Sequence, residues 1–96
     1  MFVVELTYLK PLAEVDEHLD AHKAFLADLY EAGFVLASGT KEPRSGGVIL
    51  TRGSSLEELN AALARDPFHV FGVAEYKITE FNVRATCLGL EQLVGA

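Results

Sequence analysis

One cysteine, Cys87, stands alone in 96 residues, so no internal disulfide can form and no cross-linked, secreted scaffold is implied. Basic residues are few: eight lysines and arginines face fourteen aspartates and glutamates, a formal charge of −6. Without a basic stripe the chain has nothing to displace counterions from phosphates or to settle on anionic lipid. Nucleic-acid and membrane partners are therefore not expected. No apolar run approaches the ~18–20 residues of a bilayer span. The first residues show no basic segment followed by an apolar one, so no secretory leader is expected and the chain reads as cytoplasmic.

Several catalytic signatures are also missing. Ser38 does not sit in a Gly-x-Ser-x-Gly elbow, and Gly46-Gly47 is not followed by the Lys-Ser/Thr of a phosphate loop. There is no His-Glu-x-x-His and no cysteine cluster. Neither a cofactor nor a metal is expected.

What is present folds. Half the residues are hydrophobic and 23% are charged, far from the composition of a disordered chain. The length is that of one domain, burying roughly 60–65% of its surface. A second copy would add burial, and the apolar fraction favours one.

Residues 2–9 alternate, with Phe2, Val4, Leu6 and Tyr8 on an apolar side and Val3, Glu5, Thr7 and Leu9 on a mixed one. Residues 11–32 read as one helix. Its apolar stripe runs Val15, Leu19, His22, Leu26, Leu29, and Gly33 follows as a C-cap. Residues 34–38 and 48–51 read as strands, joined by an exposed loop over 39–47. Ser54 or Ser55 opens a capping box for a second helix with Leu56, Leu59, Ala62 and Leu63 inward, and Asp66-Pro67 stops it. Residues 73–83 read as the last strand.

The predicted order, β-α-β-β-α-β, gives an α+β ferredoxin-like plait: a four-stranded antiparallel sheet with two helices on one face. The other face needs cover, which predicts a homodimer, a dimeric α+β barrel open to higher assembly. The plait is expected over 1–84. Residues 85–96, with Leu88, Leu90, Leu93 and Val94, form an extension, either a short helix or a swapped tail.

His22 occupies a position where the periodicity expects an aliphatic side chain. A histidine there is either a hydrogen-bonded core residue or a proton carrier. Asp66 ends the second helix, which packs beside the first, so its carboxylate is placed to reach and orient His22. Aspartate before proline also caps the following turn, so spacing leaves both roles open. His18, four residues before His22, could join a metal site with Asp20 and His69, but no third ligand has a fixed spacing. His18 is expected to be solvated and Cys87 to serve packing. Ser38-Gly39 at a strand end offers backbone amides to an anion or carbonyl oxygen. Arg44 is the loop cation able to hold a carboxylate.

These pieces together resemble the YCII-related family. The resemblance rests on His22 in the first helix, on Glu31-Ala32-Gly33-Phe34-Val35-Leu36-Ala37-Ser38-Gly39 and on Gly46-Gly47-Val48-Ile49. It continues in Ser55-Leu56-Glu57-Glu58, Asp66-Pro67-Phe68 and Glu75-Tyr76, spanning about residues 1–84. It implies a ferredoxin-like dimer with a cleft whose histidine and aspartate fall on His22 and Asp66, and a likeness to muconolactone isomerases and to dehalogenating enzymes of chlorinated muconolactones and hydroxyquinols. Family members often carry Arg-Pro shortly before the histidine. Here Leu19-Asp20-Ala21 stands in that place, so if that arginine serves an anionic substrate, this chain is expected to bind something else or to rely on Arg44.

The leading expectation is a cofactor-independent lyase or isomerase acting on a small, cyclic, oxygenated compound. In it His22 and Asp66 are catalytic, and Ser38, Gly39, Arg44 and Phe68 line the substrate site. The alternative is a non-catalytic ligand-binding or assembly module, for which a ring-sized cavity beside His22 is the discriminator. A haem-binding monooxygenase plait ranks last, since it needs a histidine on the open face of the sheet.

Overall fold

The period-two pattern of the first residues becomes strand β1 (Phe2–Tyr8) at the heart of the sheet in the computed structural model, which describes residues 1–96. The chain continues through α1 (Leu12–Glu17), α2 (Leu19–Glu31), β2 (Val35–Thr40), β3 (Gly46–Thr51), α3 (Leu56–Leu63), α4 (Pro67–Val70) and β4 (Ala74–Glu80). The sheet order is β2-β3-β1-β4 and every pairing is antiparallel. This is the ferredoxin-like arrangement, with the first predicted helix divided in two and a further short helix, α4, following the second.

Register decides which side chains share a face. Val4 lies opposite Ile49 and Ile78, and Leu6 opposite Gly47 and Tyr76, so these point toward the helices. Phe2, Val4 and Leu6 are buried there against Val15, Leu29, Leu59, Leu63 and Phe68. Each such side chain contributes about 1.5–3 kcal/mol by leaving water. On the other face stand Val3, Glu5 and Thr7, beside Leu50, Val48, Thr79, Lys77 and Glu75. No element of the chain covers that face, where Glu5 pairs with Lys41 at 2.8 Å.

The caps follow the sequence. Ser55 is the N-cap of α3, its Oγ accepting the Glu58 N–H at 3.0 Å. Gly33 leaves α2 at φ +76°, the left-handed conformation that glycine adopts without strain. Other expectations need correction. The helix over 11–32 breaks at His18 (φ −110°, ψ 3°). The break lets the His18 ring stack on Phe71, centroids 4.1 Å apart, a tertiary contact that local periodicity does not report. His18 is thus half-buried rather than solvated. After Pro67 the chain makes a further turn of helix, α4, instead of running straight into a strand.

The loop between β2 and β3 is shorter than expected, because Gly46 and Gly47 already belong to β3. At Gly46 the backbones come so close that an added Cβ would lie 1.8 Å from the Leu6 carbonyl oxygen. A register shift between Val35 and Ala37 lets β2 bulge before it reaches Ser38. The tail makes only a 3-10 turn at Glu91–Leu93 and folds back, the Gly95 N–H reaching the Val83 carbonyl at 3.4 Å. Cys87 is exposed, not packed.

Candidate functional site

Asp66 owes its position to the residue after it. Proline disfavours the α conformation before itself, and Asp66 is extended at φ −63°, ψ 125°. That geometry makes it the N-cap of α4, with its Oδ1 accepting the Phe68 N–H at 3.0 Å. The same oxygen accepts from His22 Nδ1 at 2.7 Å, and Oδ2 accepts from the Tyr76 hydroxyl at 2.6 Å. Asp66 is fully buried, so a carboxylate inside the protein is satisfied by three donors from three elements.

The two roles that spacing left open for Asp66, turn cap and imidazole partner, are both occupied. Accepting from three sides, the carboxylate fixes the hydrogen of a neutral His22 ring on Nδ1 and leaves Nε2 with a free lone pair. Phe68 holds the ring flat, its plane 7° from the imidazole and its centroid 3.9 Å away. No buried side-chain nitrogen or oxygen lacks a partner, yet Nε2 has no hydrogen bond in the protein. Nε2 must therefore reach the surface where His22 is 11% exposed, at the wall of a cavity.

That cavity holds about 190 Å³ between α2 and the helix-facing side of β1, β2 and β3. A cavity of about 150 Å³ suffices for benzene, so one substituted ring fits. Its apolar walls are Leu6, Tyr8, Leu19, Leu26, Ile49 and Phe68, and its polar lining comes from His22, Lys23, Ser38 and Thr40. Gly47 makes room for it. This residue faces Leu6 and Thr40 on the helix side of the sheet, where any side chain would fill the floor. Even a Cβ there would come within 2.9 Å of the Gly39 carbonyl oxygen.

Of the six residues expected at the site, His22, Ser38, Gly39 and Phe68 line the cavity and Asp66 stands directly behind His22. Ser38 Oγ is engaged by the Tyr30 hydroxyl. Arg44 is turned elsewhere. Its guanidinium pairs with Asp16, holding that carboxyl below the usual range, and lies 5.8 Å from the centroid of the Tyr8 ring, behind the cavity wall. No group of three or more His, Cys, Asp or Glu side chains could hold a metal ion.

Sequence reasoning missed the roles of Tyr76 and Lys23 and the space at Gly47. Tyr76 left a signal, since a tyrosine between Ala74 and Ile78 on a core face must place its hydroxyl somewhere. Burial, and after it the hydrogen bond to Asp66, pushes that hydroxyl far above the usual phenol range, so it remains a donor to the carboxylate.

A family model, the YCII-related domain, matches residues 1–82. Among solved structures, the chain is similar to 5-chloro-2-hydroxyhydroquinone dehydrochlorinase (TftG) from Burkholderia phenoliruptrix AC1100, in complex with 2,5-dihydroxybenzoquinone. The TM-score is 0.71 at 17% identity, over 85% of this chain and 94% of that one, a likeness of fold. No curated protein matches the chain. No helix is long and apolar enough to cross a membrane.

Proposed function

This chain belongs to the YCII-related domain family, and from that premise we propose that it is a cofactor-independent lyase or isomerase acting on a single oxygenated ring. One observation carries the reading: an imidazole whose Nδ1 is held by a buried carboxylate and which lines a ring-sized cavity. In this mechanism Nε2 takes a proton from the substrate, and the electron pair left behind either shifts within the ring or expels a leaving group such as halide. Asp66 keeps the ring oriented and stabilises the imidazolium that forms. The Thr40 hydroxyl, part of the cavity lining, faces charge developing on a substrate oxygen. Ser38 and Gly39, by contrast, are paired with Ile49 and Val48 inside β2, so their amides are not freed at a strand end as expected. The dehydrochlorinase among the similar folds acts on a chlorinated hydroxyquinol, which makes halogenated and plain hydroxyquinols and muconolactones the first panel to assay.

His22→Gln keeps a polar side chain of similar reach but cannot accept and return a proton at that site. Turnover is expected to fall at least 100-fold, the usual scale for a general base, while the fold stays intact. Unchanged turnover in His22→Gln would sink the mechanism. Ring binding by the wild type with no turnover across the panel would favour the ligand-binding module.

We further propose that the uncovered sheet face is the contact between two copies, closing a dimeric α+β barrel. Val3, Val48 and Leu50 lie half-exposed on it, and Glu5, Lys41 and Lys77 give it charges of both signs that a second copy can complement. Sedimentation at micromolar concentration is expected to give a dimer and Leu50→Lys a monomer. A monomeric wild type would rule the arrangement out.

A further inference from the structure

The cavity is electrostatically unlike the rest of the molecule. The chain carries a formal charge of −6, yet none of the thirteen residues lining the cavity is an aspartate or glutamate. Its one permanent cation is Lys23, the residue after His22 on α2. Lys23 joins none of the ion pairs, which link His22 to Asp66, Lys41 to Glu5 and Arg44 to Asp16. Lys23 is exposed and its ammonium is committed to no ion pair, while Arg44 is paired with Asp16. Across from it, the Thr40 hydroxyl makes no hydrogen bond in the protein, and Phe68 forms an apolar wall. Low-dielectric walls around a single sign of charge focus the field and select for the opposite sign.

We propose that the cavity takes a single-ring oxyanion, a ring carrying a carboxylate or an ionised hydroxyl, and that Lys23 is the residue that selects it. The ring lies between Phe68 and the sheet, and the charged oxygen points outward to the Lys23 ammonium. The proposal rests on the reading of this cavity as a substrate site, but not on His22 moving a proton.

The test compares two probes of the same shape and different charge, 4-hydroxybenzoate and 4-hydroxybenzamide. Each is titrated into the full chain near pH 7.5 and followed by amide chemical shifts of the cavity residues. Wild type is expected to bind the benzoate about tenfold more tightly, the scale of one charge-assisted contact. Lys23→Met should bring the two affinities within about twofold, and Lys23→Arg should keep the preference. Added salt should weaken the benzoate alone.

Equal affinities in wild type, a preference that survives Lys23→Met, or no response of the cavity to either probe would each overturn the assignment. His22→Gln separates the two readings. If it abolishes turnover and leaves the charge preference intact, both stand. If the preference disappears with His22 and not with Lys23, the anion site is wrong while proton transfer remains.

Discussion

Asp66→Ala is expected to remove about 3–5 kcal/mol of folding stability, the scale on which buried charge networks fail when one partner is deleted. The substitution deletes the N-cap of α4 and leaves the His22 Nδ1–H and the Tyr76 hydroxyl, both donors inside the protein, with nothing to accept them. A domain of this size is stable by only about 5–15 kcal/mol, so the variant should lie near the edge of folding in urea titrations. Asp66→Asn keeps one acceptor oxygen and should lose far less. Tyr76→Phe removes a single donor and should cost about 1 kcal/mol. A loss of under 1 kcal/mol in Asp66→Ala would mean that the three bonds do not act as a unit.

The same network sets a dependence on alkaline pH. Tyr76 holds its proton more tightly folded than unfolded, so its contribution is intact below the unfolded phenol value near pH ~10 and declines as pH rises beyond it. The unfolding midpoint of wild type should drop above that pH, and more steeply than that of Tyr76→Phe.

Gly46→Ala is the second large effect expected, and it acts through backbone alone. The added methyl would lie 1.8 Å from the Leu6 carbonyl oxygen, 2.8 Å from its carbon and 3.1 Å from the Thr7 Cα. All three obstacles are main-chain atoms of the central strand, so no side chain can swing away to make room. β3 must lift from β1 at its first pair, where Thr7 faces Gly46, and the displacement disturbs Gly47 and the cavity floor beside it. The expected result is a loss of more than about 3 kcal/mol, with amide exchange fastest at the Gly46 end of β3. A Gly46→Ala variant as stable as wild type would show that the strands can separate there without cost.

Much of the architecture could be read before any coordinates, because period two in residues 2–8 and the stripe ending at Gly33 are strong local signals. Asp66 and His22 stood out for the same reason: one was a carboxylate fixed by a following proline, the other a polar residue on an apolar stripe. Their meeting depends on how two helices lie side by side, which neither segment encodes alone. The break at His18 escaped notice because the contact it accompanies, with Phe71, lies more than fifty residues away in the chain. Gly46-Gly47 was read as part of an exposed loop, whereas what it supplies is absence of volume, at Gly46 against a neighbouring strand and at Gly47 above a cavity. Arg44 was the conspicuous cation in the sequence, and only the fold shows that Asp16 already holds it.

The double employment of Asp66 has an evolutionary consequence. Its carboxylate is retained by the helix it caps and by Tyr76, whether or not an imidazole stands beside it. A lineage that lost His22 would lose the proposed proton carrier and still inherit the oriented acceptor, since selection for stability alone would keep it. Such a descendant would be one substitution away from regaining the His-Asp pair, so the proposed proton transfer would be easy to lose and short to recover.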